Sequence, residues 1–151
     1  MATLIVGIGN RERGDDGAGA AVIDRLAGSV GTGVRLLREL SVPSRLLDSW
    51  TSSDEVTVID AMLSGAEPGT VSRFDALDGP LPVESFGLST HGFGLGQTIE
   101  LARATGGLPA SLAVYGIEAL QVDPGSGLSP EVSAAVEQVA QWILDDLRRT
   151  D

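Results

Sequence analysis

The sequence predicts an α/β fold, a three-layer α/β/α sandwich around a mostly parallel, twisted five-stranded sheet. Short β-branched apolar runs alternate with segments of helical spacing, and glycines and prolines separate the two kinds of segment. Such alternation is typical of a parallel sheet with helices on both faces. The length of 151 residues suits one domain over residues 1–151, and no repeat or linker divides the chain.

The first 60 residues predict three strands and two helices. Residues 3–8 form a buried strand that ends in a glycine-rich turn, and apolar residues at three- and four-residue spacing then predict a helix up to Leu26. Asp15 and Asp16 lie at the start of this helix, where its dipole favours carboxylates. The remaining predictions are a strand over 34–40, a short helix over 43–50 and a strand over 55–60.

The second half predicts two further strands and two helices. The strands are 69–74 and 111–117, a helix spans 92–104, and the segments 78–89 and 122–128 are irregular. Ser129 and Pro130 are suited to the start of the last helix, and Arg148 and Arg149 to its end. This helix carries one apolar stripe: Val132, Val136, Val139, Ile143 and Leu147.

Composition excludes several function classes. The net charge is −11 and every basic residue is arginine, so phosphate backbones would be repelled and nucleic acid is not an expected partner. The chain has no cysteine, which excludes disulfides, thiolate metal sites and cysteine nucleophiles. We find neither a signal peptide nor an apolar stretch of membrane-spanning length, so we expect a cytoplasmic protein without a membrane partner.

Two carboxylates are predicted to meet at one edge of the sheet. Asp16 follows the loop after the first strand, and Asp60 ends the strand over 55–60. Ligands of open α/β sheets bind beyond the carboxyl ends of the strands, which brings these two residues together. Taken singly, each has a simpler structural explanation: a helix-start carboxylate for Asp15 or Asp16, and a turn-ordering carboxylate for Asp60.

His91 is the only histidine, and it precedes the helix over 92–104, which it could cap. A lone histidine is more often structural than functional, so spacing alone does not favour a functional interpretation. Together with Asp16 and Asp60 it would complete a set of two oxygen ligands and one nitrogen ligand. Such a set suits nickel, zinc, cobalt or manganese, and three protein ligands leave positions open for substrate or water.

Two other sites are poorly supported. The glycines Gly7 and Gly9 follow the first strand as in dinucleotide-binding proteins, but the third glycine of that fingerprint is replaced by Glu12. A Ser-His-Asp triad would use Ser89 beside His91, yet no Gly-x-Ser-x-Gly nucleophile motif is present.

Five ordered motifs closely resemble those of the hydrogenase maturation proteases, which trim the C-terminus of nickel hydrogenase large subunits. The resemblance extends over nearly the whole chain. The motifs are Gly7-Ile8-Gly9-Asn10 with Gly14-Asp15-Asp16-Gly17-Ala18-Gly19, Val58-Ile59-Asp60-Ala61 with Ser64-Gly65-Ala66-Glu67-Pro68-Gly69-Thr70, Ser89-Thr90-His91-Gly92, Tyr115-Gly116-Ile117-Glu118, and Gly127-Leu128-Ser129-Pro130-Glu131-Val132.

The resemblance implies an endopeptidase whose metal-site residues are Asp16, Asp60 and His91. It further implies that the metal is Ni²⁺, carried by the hydrogenase large-subunit precursor rather than held permanently by the protease. The enzyme would sense the installed nickel and then remove the C-terminal extension of this partner. The metal could act as a Lewis acid, activate water or position the substrate, and we favour positioning. A carboxylate such as Asp16 could act as general base.

One segment departs from the family pattern. Where the family commonly has an Asp-Gly-Gly-Thr turn, this chain has Glu39-Leu40-Ser41-Val42, and Glu39 is a candidate to line the cleft. Two alternative functions stay open. One is a non-catalytic nickel-binding escort of the large subunit, and the other is a self-contained metallohydrolase of small amides or peptides.

Overall fold

The computed structural model describes residues 2–40, 42–86 and 94–149, with only the backbone at residues 39 and 40. The strands are β1 (Thr3–Ile8), β2 (Val34–Leu40), β3 (Glu55–Met62), β4 (Val71–Asp75) and β5 (Ser111–Glu118). The α-helices are α1 (Ala18–Leu26), α2 (Leu95–Thr105) and α3 (Pro130–Arg149). Short 3-10 helices cover Gly14–Gly17, Pro43–Asp48 and Val83–Ser85.

The five strands form one sheet in the order β2-β1-β3-β5-β4. The pairs β1–β2, β1–β3 and β3–β5 are parallel, whereas the edge strand β4 is antiparallel to β5. Parallel neighbours need crossover connections, and helical segments supply them here. The predicted fold class, a mostly parallel five-stranded sheet between helical layers, is confirmed.

Each face of the sheet has its own apolar core. Val56 and Val58 of β3 face a core shared with α2 and the 3-10 helix Pro43–Asp48. Ile59 faces the opposite core, which includes α1 and α3. Because alternate residues of a strand point to opposite faces, a strand covered on both sides must be apolar almost throughout.

The start of α3 agrees with the prediction. Pro130 is its first residue, and the Ser129 hydroxyl accepts a hydrogen bond of 3.4 Å from the Val132 backbone N–H. Val132, Val136 and other stripe residues are buried against the sheet. Within residues 2–40, 42–86 and 94–149, no helix has the length and apolar character required to cross a membrane.

Several element boundaries differ from the predictions: β3 continues to Met62 instead of ending at Asp60, and α1 begins at Ala18, after the 3-10 helix Gly14–Gly17. The segment predicted as a helix over 43–50 is a 3-10 helix that ends at Asp48, and Trp50 beyond it is buried, its indole N–H donating to the Gly107 carbonyl at 2.8 Å. The strand predicted from residue 69 begins at Val71, because Gly69 has a φ of 85° in a turn.

The chain continues from β1 and from β3 towards opposite edges of the sheet. β1 connects through α1 to β2, its neighbour on one side, while β3 lies on its other side. The strand order therefore reverses between β1 and β3. In open α/β sheets this point opens a crevice at the carboxyl ends of the strands, which is where ligands bind.

Candidate active site

The loop after β1 folds back tightly over Asp16. Gly9 has a φ of 120°, and a Cβ on it would lie 2.1 Å from the Asp16 carbonyl oxygen. No side chain fits there, so glycine is required for the loop to close. The Asn10 backbone N–H donates to Asp16 Oδ2 at 2.8 Å, and the Asn10 side chain accepts from the Glu12 N–H at 2.9 Å.

The same contact argues against a dinucleotide site at this turn. A phosphate held at the end of β1 would need free backbone N–H donors. Here the Asn10 N–H already donates to the carboxylate of Asp16, which is 1% exposed. The carboxyl group of Asp16 thus occupies the position that the phosphate of a nucleotide would take.

Glycine also lets α1 approach the end of the sheet. A Cβ on Gly19 would lie 2.6 Å from the Ile59 carbonyl oxygen and 2.7 Å from the Ile8 carbonyl oxygen. The first turn of α1 therefore rests on the backbone of β1 and β3 at their carboxyl ends. This close contact fixes the position of Asp16 relative to β3.

Asp60 lies near the end of β3, adjacent to β1, and is 4% exposed. Burial raises the pKa of Asp60 well above its usual value, and the nearby Asp16 carboxylate raises that pKa further. A hydrogen bond from the Ala61 backbone N–H has the opposite effect. The structure therefore brings Asp16 and Asp60 together, as the strand-end argument predicts.

The pair can bind a proton or a cation. Two buried carboxylates that interact electrostatically resist carrying two negative charges, so a shared proton or a bound cation relieves their repulsion. Oxygen ligands of this kind accept nickel, zinc, cobalt or manganese. Within the described ranges, no group of three or more His, Cys, Asp and Glu side chains is arranged to hold a metal ion.

His91 lies outside the described residues, so its meeting with Asp16 and Asp60 stays a prediction. The described chain stops at Phe86 and resumes at Gly94, the residue before α2. Just before the gap, the Ser85 carbonyl accepts a hydrogen bond of 2.9 Å from the Leu63 N–H, three residues beyond Asp60. Glu39 belongs to β2, but its side chain is not described, and its place in the cleft likewise stays a prediction.

The adjacent Asp15 has a different task from Asp16. Its fully buried carboxylate accepts hydrogen bonds from the N–H groups of Leu120 (2.8 Å), Gln121 (3.0 Å) and Ser129 (2.7 Å), and from the Ser129 hydroxyl (2.9 Å). It thus ties the site loop to the segment between β5 and α3. Neither aspartate caps α1, because the residue before this helix is Gly17 and no side chain caps it.

Sequence reasoning gave Glu118 no role, although it ends β5, the parallel neighbour of the strand that carries Asp60. Its carboxylate is 2% exposed and accepts hydrogen bonds from the Ser64 N–H at 2.9 Å and the Ser64 hydroxyl at 2.6 Å. It therefore holds the loop that follows Asp60 and β3. Its position at the end of a parallel strand beside β3 is the sequence feature that could have identified it.

Two cavities of the described chain lie away from the acidic pair. Cavities of about 400 Å³ and 460 Å³ lie elsewhere, between the edge of the sheet and α3, and both are lined by Arg73, Tyr115 and Arg149. Neither is lined by Asp16 or Asp60.

The protein is an open α/β sheet with a buried acidic pair at its switch point, and sequence comparison identifies its family. A family described as hydrogenase maturation protease matches residues 35–146. The chain belongs to this family, and it is a peptidase, as its motifs predict.

Similar proteins agree in sequence and in structure. The hydrogenase 2 maturation protease of Escherichia coli K12 is 26% identical over 99% of this chain and 93% of its own length. The hydrogenase expression/formation protein HupD of Thiocapsa roseopersicina is 27% identical over 98% of this chain and 72% of its own.

The solved structure of the hydrogenase maturating endopeptidase HybD from E. coli superposes with a TM-score of 0.83 at 26% identity, covering 99% of this chain and 94% of that one. The [NiFe] hydrogenase maturation protease HycI from Thermococcus kodakarensis gives a TM-score of 0.70 at 26% identity, covering 97% and 92%. These likenesses extend over the whole sheet and its helices.

Proposed function

We propose that this protein removes the C-terminal extension of a nickel hydrogenase large-subunit precursor after nickel insertion, and that it acts in the cytoplasm. The observation that carries the proposal is the buried, electrostatically coupled pair of Asp16 and Asp60 at the sheet's switch point. This pair lies in a chain of the hydrogenase maturation protease family. The precursor with its nickel is the substrate.

In this proposal the acidic pair senses the nickel that the precursor carries. The two carboxylates, joined by the predicted ligand His91, form a donor set that suits nickel. A divalent cation brought by the substrate neutralises a pair that otherwise retains a proton, so nickel-loaded precursor binds better than nickel-free precursor. This contact positions the tail for cleavage, and Asp16 is the candidate general base for the attacking water.

Cleavage of the nickel-loaded precursor by variants tests this proposal. Asp60→Asn and His91→Ala are expected to process it at least about a hundredfold more slowly than wild type, since each removes one group of the site. Asp78→Asn is the matched control, because Asp78 is exposed and lies beyond β4. Wild-type rates for both site variants would refute the proposed site.

Mass spectrometry of the partner separates this proposal from a non-catalytic escort. A protease leaves a shortened large subunit, whereas an escort releases it at full length. A self-contained metallohydrolase would instead bind metal tightly by itself. Calorimetric titration of the free protein with nickel and zinc tests that alternative, and we expect weak uptake or none.

A further inference from the structure

Exposed apolar side chains collect at the same edge as the acidic pair. Among residues 2–40, 42–86 and 94–149, the exposed large hydrophobic residues are Val42, Leu63, Leu77, Leu101, Leu120 and Trp142. Three of them follow the carboxyl ends of parallel strands: Val42 follows β2, Leu63 follows β3 and Leu120 follows β5. These three side chains are 47%, 48% and 52% exposed.

The strand order places the acidic pair between Val42 and Leu120. Asp16 follows β1 and Asp60 lies near the end of β3, and these strands lie between β2, which precedes Val42, and β5, which precedes Leu120. The Ala119 N–H donates to the Met62 carbonyl at 2.9 Å, so β3 and β5 stay paired up to the residues just before the two leucines. Leu63 and Leu120 are therefore neighbours on one side of the pair.

The distance across this edge suits an extended peptide. Neighbouring strands lie about 4.8 Å apart, so the three intervals from β2 to β5 span about 14 Å. An extended chain advances about 3.3 Å per residue, so about four residues cover this distance. A chain crossing the strand ends would thus pass over Asp16 and Asp60 with a side chain near the apolar residues on either side.

Buried groups hold the backbone of the two leucines. The Leu120 N–H donates to the fully buried Asp15 carboxylate at 2.8 Å. The Leu63 N–H donates to the Ser85 carbonyl at 2.9 Å, and the buried Glu118 carboxylate accepts from the following residue, Ser64. Single exposed leucines are ordinary, but these are neighbours on anchored backbone beside the site. Preorganised apolar groups of this kind favour binding because little conformational freedom is lost.

We propose that Val42, Leu63 and Leu120 form an apolar rim that binds an extended, apolar segment of the hydrogenase precursor on both sides of the scissile bond. This inference rests on the proposed function, because an endopeptidase must hold its substrate chain on either side of its catalytic groups. In the strand order Leu120 lies on the β5 side of the acidic pair and Val42 on the β2 side, so the rim contacts the substrate chain on opposite sides of the bond that is cut.

Steady-state cleavage of the nickel-loaded precursor tests the rim. For Leu63→Ser and Leu120→Ser we expect KM to rise about fivefold each, because each loses the burial of half a leucine side chain. The value of kcat should stay within about twofold of wild type, since the rim binds ground state and transition state alike. Leu101→Ser on α2 is the matched control at 39% exposure, and its kinetics should equal those of wild type.

Binding to an inactive background separates the rim from the chemistry. In the Asp60→Asn protein, we expect Leu63→Ser with Leu120→Ser to weaken binding of the precursor by at least about tenfold, with thermal melting unchanged. If wild type does not cleave but binding depends on the rim, the proposed function fails and the rim stands. If wild type cleaves and the rim variants match Leu101→Ser in KM and binding, the rim is wrong. If the precursor neither binds nor is cleaved, both are wrong.

Discussion

Replacing Asp15 and Asp16 one at a time by asparagine should separate stability from function at two adjacent positions. Asp15 accepts four hydrogen bonds through a fully buried carboxylate. In Asp15→Asn one oxygen becomes an amino group. In the better orientation this amino group faces the Ser129 N–H, which then has no acceptor. The N–H groups of Leu120 and Gln121 keep an oxygen acceptor, but that oxygen no longer carries a negative charge.

The magnitude follows from these contacts. One buried donor without an acceptor costs about 1–3 kcal/mol, and the hydrogen bonds that lose their charge become weaker as well. We therefore expect Asp15→Asn to lower the free energy of unfolding by about 3 kcal/mol. For a domain of this size the melting temperature then falls by about 6–12 °C. Asp16→Asn should melt within about 2 °C of wild type, because it replaces a single hydrogen bond from Asn10 and removes a repulsive charge.

Thermal unfolding followed by circular dichroism measures the first effect, and cleavage of nickel-loaded precursor measures the second. Asp16→Asn should lose processing while it stays folded, whereas Asp15→Asn should be less stable. Its residual activity at low temperature should exceed that of Asp16→Asn. Equal melting temperatures for the two variants would refute this division of labour.

Three further predictions concern Asp60, Asp54 and Gly19. Native Asp60 retains its proton at pH values where the unfolded chain has lost it, so stability should fall as pH rises from about 4 through the raised pKa. Urea unfolding of Asp60→Asn should lack this decline, and parallel pH curves for the two proteins would contradict the burial of a coupled pair. At the opposite edge, hydrogen bonds from Thr51 and Ala2 lower the pKa of Asp54, so its contribution is present above about pH 4 and is lost as pH falls through the lowered pKa. Acid unfolding of Asp54→Asn should therefore begin from a less stable protein and show a shallower pH dependence, and an unchanged acid transition would refute the role of these bonds. Gly19→Ala should destabilise by about 1–3 kcal/mol although alanine favours helices, because its Cβ would meet two backbone carbonyl oxygens, whereas Gly31→Ala, with open space around it, should be neutral in the same assay.

The sequence predicted those features that depend on local pattern. Strand β3 was recognisable from its apolar run, and the place of Asp60 near its carboxyl end followed from the same pattern, although the strand continues to Met62. The rule that parallel strand ends meet at one edge then brought Asp16 to Asp60 without any knowledge of the packing. The helix α3 was equally clear, because its capping residue and apolar stripe are both local signals.

The contacts of the site loop were beyond local reasoning. Asp15 bonds to residues 105 to 114 positions away, and no pattern near residue 15 indicates which distant N–H groups it will meet. Likewise Glu118 bonds to Ser64, 54 positions earlier in the chain. Such partners are set by how the loops after β1, β3 and β5 pack against each other, which is a property of the assembled sheet. For the same reason adjacent aspartates that look alike in sequence have different tasks.

The nickel dependence of processing is the most direct test of whether Asp16 and Asp60 sense the metal of the substrate. The large-subunit precursor would be prepared with and without nickel, incubated with the wild-type protein, and followed by intact-mass spectrometry. We expect the nickel-loaded precursor to lose its C-terminal extension while the nickel-free form keeps it, and Asp60→Asn to cleave neither. Equal cleavage of both forms, or cleavage of the loaded precursor by Asp60→Asn at the wild-type rate, would contradict an acidic pair that senses the substrate's metal.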